Sequence, residues 1–124
     1  MITLDTGALV AVERRDRTMR AFLATALGAG LRITVPSPVV AEWWRGQRGP
    51  AARILEALHL EPLSASLAKL VGETMGRLPG ATLVDTVVVA SAASRGDLVL
   101  TTDVADLTRI RDAAFASVRV RRVG

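Results

Sequence analysis

The sequence predicts an α/β fold with a mostly parallel central sheet and helices on both of its faces. Two patterns carry this expectation. Short aliphatic and β-branched runs, such as MITL, LRITV and DLVLTT, alternate with longer segments of helical periodicity. Glycine and proline punctuate between these runs, at Gly28 and Gly30, at Pro36 and Pro38, and at Pro79-Gly80. With 124 residues the chain has room for one domain around one core, spanning residues 1–124.

In order, MITL reads as a strand. GALVAVERR follows as a helix whose apolar face holds Leu9, Val10 and Val12. A second helix runs from Arg17 to Leu27, with Met19, Phe22, Leu23 and Ala26 on its buried side and Gly28 and Gly30 closing it. LRITV is the next strand, ended by the prolines of VPSP. Ser37 is placed to N-cap a helix starting with Pro38, so Glu42 sits about one turn into it. Pro50–Leu58 is a further helix, HLEPL a short strand, and Ser64–Leu78 a long helix. Leu83–Arg95 is a very apolar helix, DLVLTT a strand, and Val118–Arg122 a last alternating strand. The arginines Arg119, Arg121 and Arg122 suit the solvent side of an edge strand, where charge deters intermolecular pairing.

Composition removes several chemistries. The chain has no cysteine, which excludes disulfides, zinc–thiolate sites and cysteine nucleophiles. Its one histidine, His59, excludes any mechanism that needs two imidazoles and reads as structural or superficial. There is no GxxxxGK phosphate loop, and LGAGL is too short, and follows a helix, for a dinucleotide loop. Net charge is +4 and almost all of the positive charge is arginine, Lys69 being the sole lysine; that balance suits a polyanionic partner. No apolar run is long enough to span a bilayer and no signal-peptide pattern opens the chain, so a cytoplasmic protein is expected.

The carboxylates are the informative residues. Asp5 ends the first strand, Asp103 follows DLVLTT, and Asp106 lies one turn beyond it. Asp85 opens the apolar helix VDTVVVASAA, and Glu42 stands among apolar neighbours in VVAEWWRG. Each aspartate taken singly has a plain explanation: Asp5, Asp85 and Asp103 are placed to N-cap a helix, and Asp106 to sit in solvent. Glu42 has only an exposed helix face as its plain reading. Taken together, they select one end of the sheet, where α/β proteins form their sites.

Gathering them has an electrostatic cost. Two carboxylates about 5 Å apart repel by roughly 3 kcal/mol at an effective dielectric near 20. A divalent cation relieves that repulsion, and all-oxygen ligands without histidine or cysteine select Mg²⁺ or Mn²⁺ over zinc.

The order strand-DTxAL, an internal helical Glu, an Asp opening an apolar helix, and TTDxxDL after a strand resembles the PIN domain. The short single-domain form is most similar to the VapC-type toxins of toxin–antitoxin pairs. ITLDTGAL and TTDVADL carry the most specific part of the similarity, which covers the whole chain. The resemblance implies a PIN-like three-layer α/β/α fold and a Mg²⁺-dependent ribonuclease. It also implies a homodimer held inactive by a VapB-type antitoxin. The family's acidic positions fall on Asp5, Glu42, Asp85 and Asp103, with Asp106 an additional member and Thr101 or Thr102 orienting the Asp103 loop. Gly7 departs from the serine or alanine of many relatives.

In the implied reaction Asp5, Asp85 and Asp103 hold one or two ions directly or through water. Glu42 binds a second ion or positions the attacking water, and an RNA phosphate is cut to leave a 3′-hydroxyl and a 5′-phosphate. Arg14, Arg15, Arg17 and Arg20, and Arg45 with Arg48, are candidates for an RNA-binding rim, or else solvated helix faces. Trp43 and Trp44 point about 100° apart on a helix, so one is expected in the core and the other in a dimer or antitoxin groove. Other readings are a PIN-domain RNA-processing nuclease that is no toxin, a nuclease-derived fold kept for binding, and a phosphoacceptor module. The last wants an acidic pair after the first strand and a late lysine; Asp5 stands alone and Lys69 is mid-chain.

Overall fold

The computed structural model describes residues 1–124. The chain runs β1 (Ile2–Leu4), α1 (Thr6–Glu13), α2 (Arg17–Gly28), β2 (Ile33–Pro36), α3 (Ser37–Trp43) and α4 (Pro50–Glu56). It continues with β3 (His59–Glu61), α5 (Ala65–Arg77), α6 (Leu83–Arg95), β4 (Leu98–Thr101), α7 (Val104–Ala114) and β5 (Arg119–Arg122). The five strands form one sheet in the order β3-β2-β1-β4-β5, and every neighbouring pair is parallel. The sheet is thus wholly rather than mostly parallel. α1 packs over β1 and β4 with α2 and α4 beside it, while α6 covers β1, β2 and β4 with α5 and α7 against it. This is the three-layer α/β/α arrangement. No helix is long and apolar enough to cross a membrane.

The topology fixes where a site can form. From β1 the chain steps outward to β2 and β3, then returns to place β4 on the other side of β1. The direction of winding reverses between β1 and β4, the point outside the carboxyl ends of the strands where sheets of this kind place their sites. Asp5 stands at that point, its backbone N–H donating to the Leu100 carbonyl across the pair at 3.3 Å. α3 touches both α1 and α6, bridging the two helical layers.

α6 explains why VDTVVVASAA has no polar stripe. It is sandwiched between the sheet and α5, with Val87, Val88 and Val89 fully buried and a small cluster of Val71, Val87 and Ala90 sealing the α5 side. A helix covered on both sides is apolar nearly all round.

Three local expectations are corrected. Ser37 does not cap α3: Pro36 holds the cap position without a side-chain bond, and the Ser37 hydroxyl accepts the Leu63 N–H at 3.1 Å instead. Asp85 does not cap α6, because Thr82 does so by accepting the Asp85 N–H at 3.2 Å. Gly28 is the last residue of α2, and Ala29 rather than a glycine is its cap, with Gly30 in the left-handed region just beyond. The helix expected after Asp103 is α7, and Arg119, Arg121 and Arg122 are exposed on β5, an edge strand, as the sequence predicts.

Between α1 and α2 the chain turns at Arg15, the one non-glycine residue with positive φ, at 61°. A left-handed conformation costs an L-residue about 1–2 kcal/mol.

A buried ionic cluster centres on Arg95. Its guanidinium bonds Glu61, donates to Asp97 at 2.9 Å and to the Thr3 hydroxyl at 2.8 Å. Asp97 is 3% exposed. Burial acts to raise its carboxyl, but hydrogen bonds from the Met1 amino group, Arg95 and Thr3 hold it below the usual range. Arg95→Met should cost about 1.5–3 kcal/mol, because partly exposed Glu61 loses its cation while Asp97 keeps only the Met1 amino group as a cation. Urea denaturation reads that loss; a change under about 1 kcal/mol would mean the cluster is effectively solvated.

Candidate active site

Asp5 is set by its own helix and by β4. Its Oδ1 accepts the Ala8 N–H at 2.9 Å, capping α1 as its position suggested. Its Oδ2 accepts the hydroxyl of Thr101, the last residue of β4. The same Thr101 oxygen accepts the Asp103 N–H at 2.8 Å. One fully buried hydroxyl therefore couples Asp5 to the loop that carries Asp103. Thr101, not Thr102, is the orienting threonine.

Thr102 has a different neighbour. A Cβ built on Gly7 would fall 2.1 Å from its Oγ1, so the glycine leaves room for Thr102 against the first turn of α1. The departure at Gly7 is accordingly matched by what packs there.

Asp103 occupies the N-cap position of α7 but its side chain makes no capping bond. The plain explanation holds for Asp5 and fails for both Asp103 and Asp85. Asp85 lies in the first turn of α6.

Electrostatically these groups form one cluster. Burial raises the Asp5 carboxyl to about 6, and the negative charges of Asp85 and Asp103 add to the rise against hydrogen bonds from Thr101 and Ala8. Burial also raises Asp85, with Asp106, Asp103 and Glu42 contributing. Asp106, fully exposed, is raised by its hydrogen bond to Asp103 and by that residue's charge. Glu42 is exposed on α3 and enters through Asp85 alone.

None of the chain's ion pairs involves Asp5, Glu42, Asp85, Asp103 or Asp106, in a protein with sixteen basic side chains. Arg109 acts electrostatically on Asp106, but no basic side chain pairs with Asp5, Asp85 or Asp103. As the side chains stand, no three carboxylates converge tightly enough to ligate one ion by themselves. The donors gathered here are all carboxylate oxygens, the chemistry that suits a hard cation such as Mg²⁺.

The arginines expected near the site divide. Arg45 is engaged at the end of α3, donating to the Trp44 carbonyl at 2.7 Å and to the Ala41 carbonyl at 3.4 Å, a C-terminal capping role. Arg14, Arg15 and Arg48 are exposed and make no side-chain hydrogen bond. Trp43 is buried in the core and Trp44 is 41% exposed beside it, ring centroids 6.0 Å apart. His59 lies on β3 near Arg32, half-buried.

Two features went unread in the sequence. Thr82-x-x-Asp85 before an apolar run is a capping signature that would have placed the cap correctly. The Arg122 guanidinium donates to the Thr102 carbonyl at 2.9 Å, tying β5 to the site loop, and no motif announced it.

This combination defines an α/β domain with an acidic site at the switch point of a parallel sheet. No protein-family model matches the sequence, and no curated protein matches it. Among solved structures the chain is similar to VapBC2 from Rickettsia felis bound to a DNA fragment from its promoter. The TM-score is 0.74 at 17% identity, covering 100% of both chains. DNA-bound VapBC from Salmonella typhimurium gives 0.72 at 18%, over 98% of this chain and 96% of that one. VapC20 of Mycobacterium tuberculosis, a sarcin-ricin-loop-cleaving toxin, gives 0.60 at 19%, over 96% and 99%. The fold is the PIN-like fold of the VapC-type toxins.

Proposed function

We propose that this protein is a metal-dependent endoribonuclease, the toxin of a VapBC-type toxin–antitoxin pair. The observation that carries the reading is the set of carboxylates at the β1–β4 switch point, two of them raised by burial with their neighbours' charges adding, and Asp5, Asp85 and Asp103 all without a salt-bridge partner. Asp5, Asp85 and Asp103 would hold Mg²⁺ (or Mn²⁺), directly or through water, with Glu42 and Asp106 at the margin. When bound, the ion would lower the pKa of a water and stabilise the leaving oxygen of a phosphodiester. The chain's own contribution is orientation: Thr101 and the Ala8 amide fix the Asp5 oxygens, and Thr101 sets the turn into Asp103.

A VapB-type antitoxin is the proposed partner, supported by the solved neighbours being VapBC assemblies. We place the toxin in the cytoplasm as a homodimer, and half-exposed Trp44 suits either protein interface.

Incubation of the purified protein with transfer, ribosomal and messenger RNA tests the activity. Cleavage should need Mg²⁺ or Mn²⁺, stop with EDTA, and fall at least about a hundredfold in Asp85→Asn, since even outer partners of metal ligands are worth about 10–100-fold. Cleavage that survives both chelation and substitution sinks the reading. An RNA-processing nuclease would cut equally but lack an inhibitory partner.

A further inference from the structure

Two adjoining hollows, sharing Asp16 and Gly124, form a groove between α1, α2 and the end of the C-terminal strand. Its first part, about 340 Å³, is lined by Gly7, Val10, Arg14, Asp16, Thr102 and Gly124. Its second, about 410 Å³, continues past Asp16 and Gly124 to Thr18, Phe22, Arg121 and Arg122. Thr102 and Gly7, which line the first part, are each within two residues of a site aspartate, Asp103 and Asp5 respectively. Each part has the size of an ordinary ligand cleft. Arg14 and Arg121 are exposed with no acidic partner, and Arg122 binds only the Thr102 carbonyl. Asp16 is the one acid in it, and its carboxylate is engaged in capping α2 through the Met19 N–H at 2.8 Å.

The turn between α1 and α2 adds a further exposed arginine beside the groove. Arg15 lies between two groove residues, Arg14 and Asp16, and holds a left-handed backbone that glycine or asparagine would adopt with less strain. That backbone closes α1, the Arg15 N–H donating to the Val12 carbonyl at 3.1 Å and the Asp16 N–H to the Ala11 carbonyl at 3.0 Å, and it leaves the Arg15 side chain exposed. The other groove arginines, Arg121 and Arg122, lie on the edge strand and look purely solubilising in the sequence.

We propose that this groove carries the RNA strand adjoining the scissile phosphate, with Arg14, Arg15, Arg121 and Arg122 contacting its backbone phosphates. The inference rests on the ribonuclease reading and adds the path of the substrate to it. Arginine forks suit phosphate oxygens, and the contacts would be largely indifferent to base sequence.

The test uses single-stranded RNA oligonucleotides, with Mg²⁺ omitted so that they stay intact, and fluorescence anisotropy across a salt series. Arg14→Ala, Arg15→Gly and Arg121→Ala should each weaken binding several-fold. The slope of log affinity against log salt should fall by about 0.7 for each phosphate no longer neutralised. Arg15→Gly should do so without lowering Tm, since it relieves backbone strain; weaker binding in a protein at least as stable is not the signature of damaged folding. Arg77→Ala, at the end of α5, removes the same charge elsewhere and should leave binding near wild type.

Unchanged affinity and slope in the groove variants would overturn the path, and the arginines would then answer to an acidic protein segment. An equal loss in Arg77→Ala would overturn it too, by showing that only net charge is sensed. If the wild type neither binds nor cuts RNA, the ribonuclease reading itself fails, which is a separate result from a misplaced groove.

Discussion

An Asp5→Asn protein is expected to lose RNA cleavage by at least a hundredfold and yet, without metal, to melt at a higher temperature than wild type at neutral pH. The loss follows if the Asp5 carboxylate holds an ion. The gain follows from linkage. Burial, with help from Asp85 and Asp103, raises the folded-state carboxyl from 3.8 to about 6. The folded protein therefore binds this proton more tightly than the unfolded chain does. Stability from the protonated group is fully present below about pH 4 and lost as pH rises toward and through 6. Above that, the penalty is about 3 kcal/mol at about 1.36 kcal/mol per pKa unit.

Asparagine carries no charge to be buried and caps a helix as well as aspartate does, so α1 should keep its N-terminus. Thermal melts in EDTA at pH 5 and pH 7.5 separate the contributions. The variant's advantage should be large at pH 7.5 and shrink toward pH 5. Mg²⁺ should raise the wild-type Tm at pH 7.5 and leave the variant nearly unchanged, because binding to the folded state alone stabilises it. A variant that melts below wild type at pH 7.5 without metal would contradict the electrostatic account of the site.

What the sequence could announce follows from distance along the chain. Asp5 and Asp103 were legible because each lies within two residues of a strand end, and parallel strands bring their carboxyl ends to one side. Asp85 was legible as a site residue but its local role was misread; the cap lies three residues earlier at Thr82. Glu42 could be placed on a helix but not aimed. Its distance from the aspartates depends on how α3 bridges α1 and α6, a matter of packing among side chains remote in sequence.

Ser37 shows the same limit, since its hydroxyl serves Leu63, a residue 26 positions away. The arginines of β5 were legible as edge charges because that reading is local. Their place beside the site depends on β5 pairing with β4 in register, which sets Thr101 against Arg122.

Adjacent threonines posed the hardest choice, because consecutive residues along a strand face opposite sides and only one can reach Asp5. Thr101 reaches it, and Thr102 turns to Gly7 of α1. Thr101→Val tests what that hydroxyl does. The side chain keeps nearly the same volume at a fully buried position, so no large cavity opens. The Asp103 N–H loses its acceptor, at about 1–3 kcal/mol if it finds no water. Asp5 loses a hydrogen bond that lowers its carboxyl pKa, so that value should rise further in the variant.

Two results are expected. The rate should drop about ten- to hundredfold, the range for residues that orient ligating groups. The acidic limb of the pH–rate profile should move to higher pH, since a carboxylate that must be ionised ionises later. A merely structural threonine would lower the amount of folded enzyme without moving that limb. Thr101→Ser keeps the hydroxyl while removing a methyl group, so it should return the limb to its wild-type position even where some stability is lost. If valine at position 101 leaves both the rate and the limb unchanged, then Thr101 is not what holds Asp5 and Asp103 in register, and the two aspartates are oriented by their backbone alone.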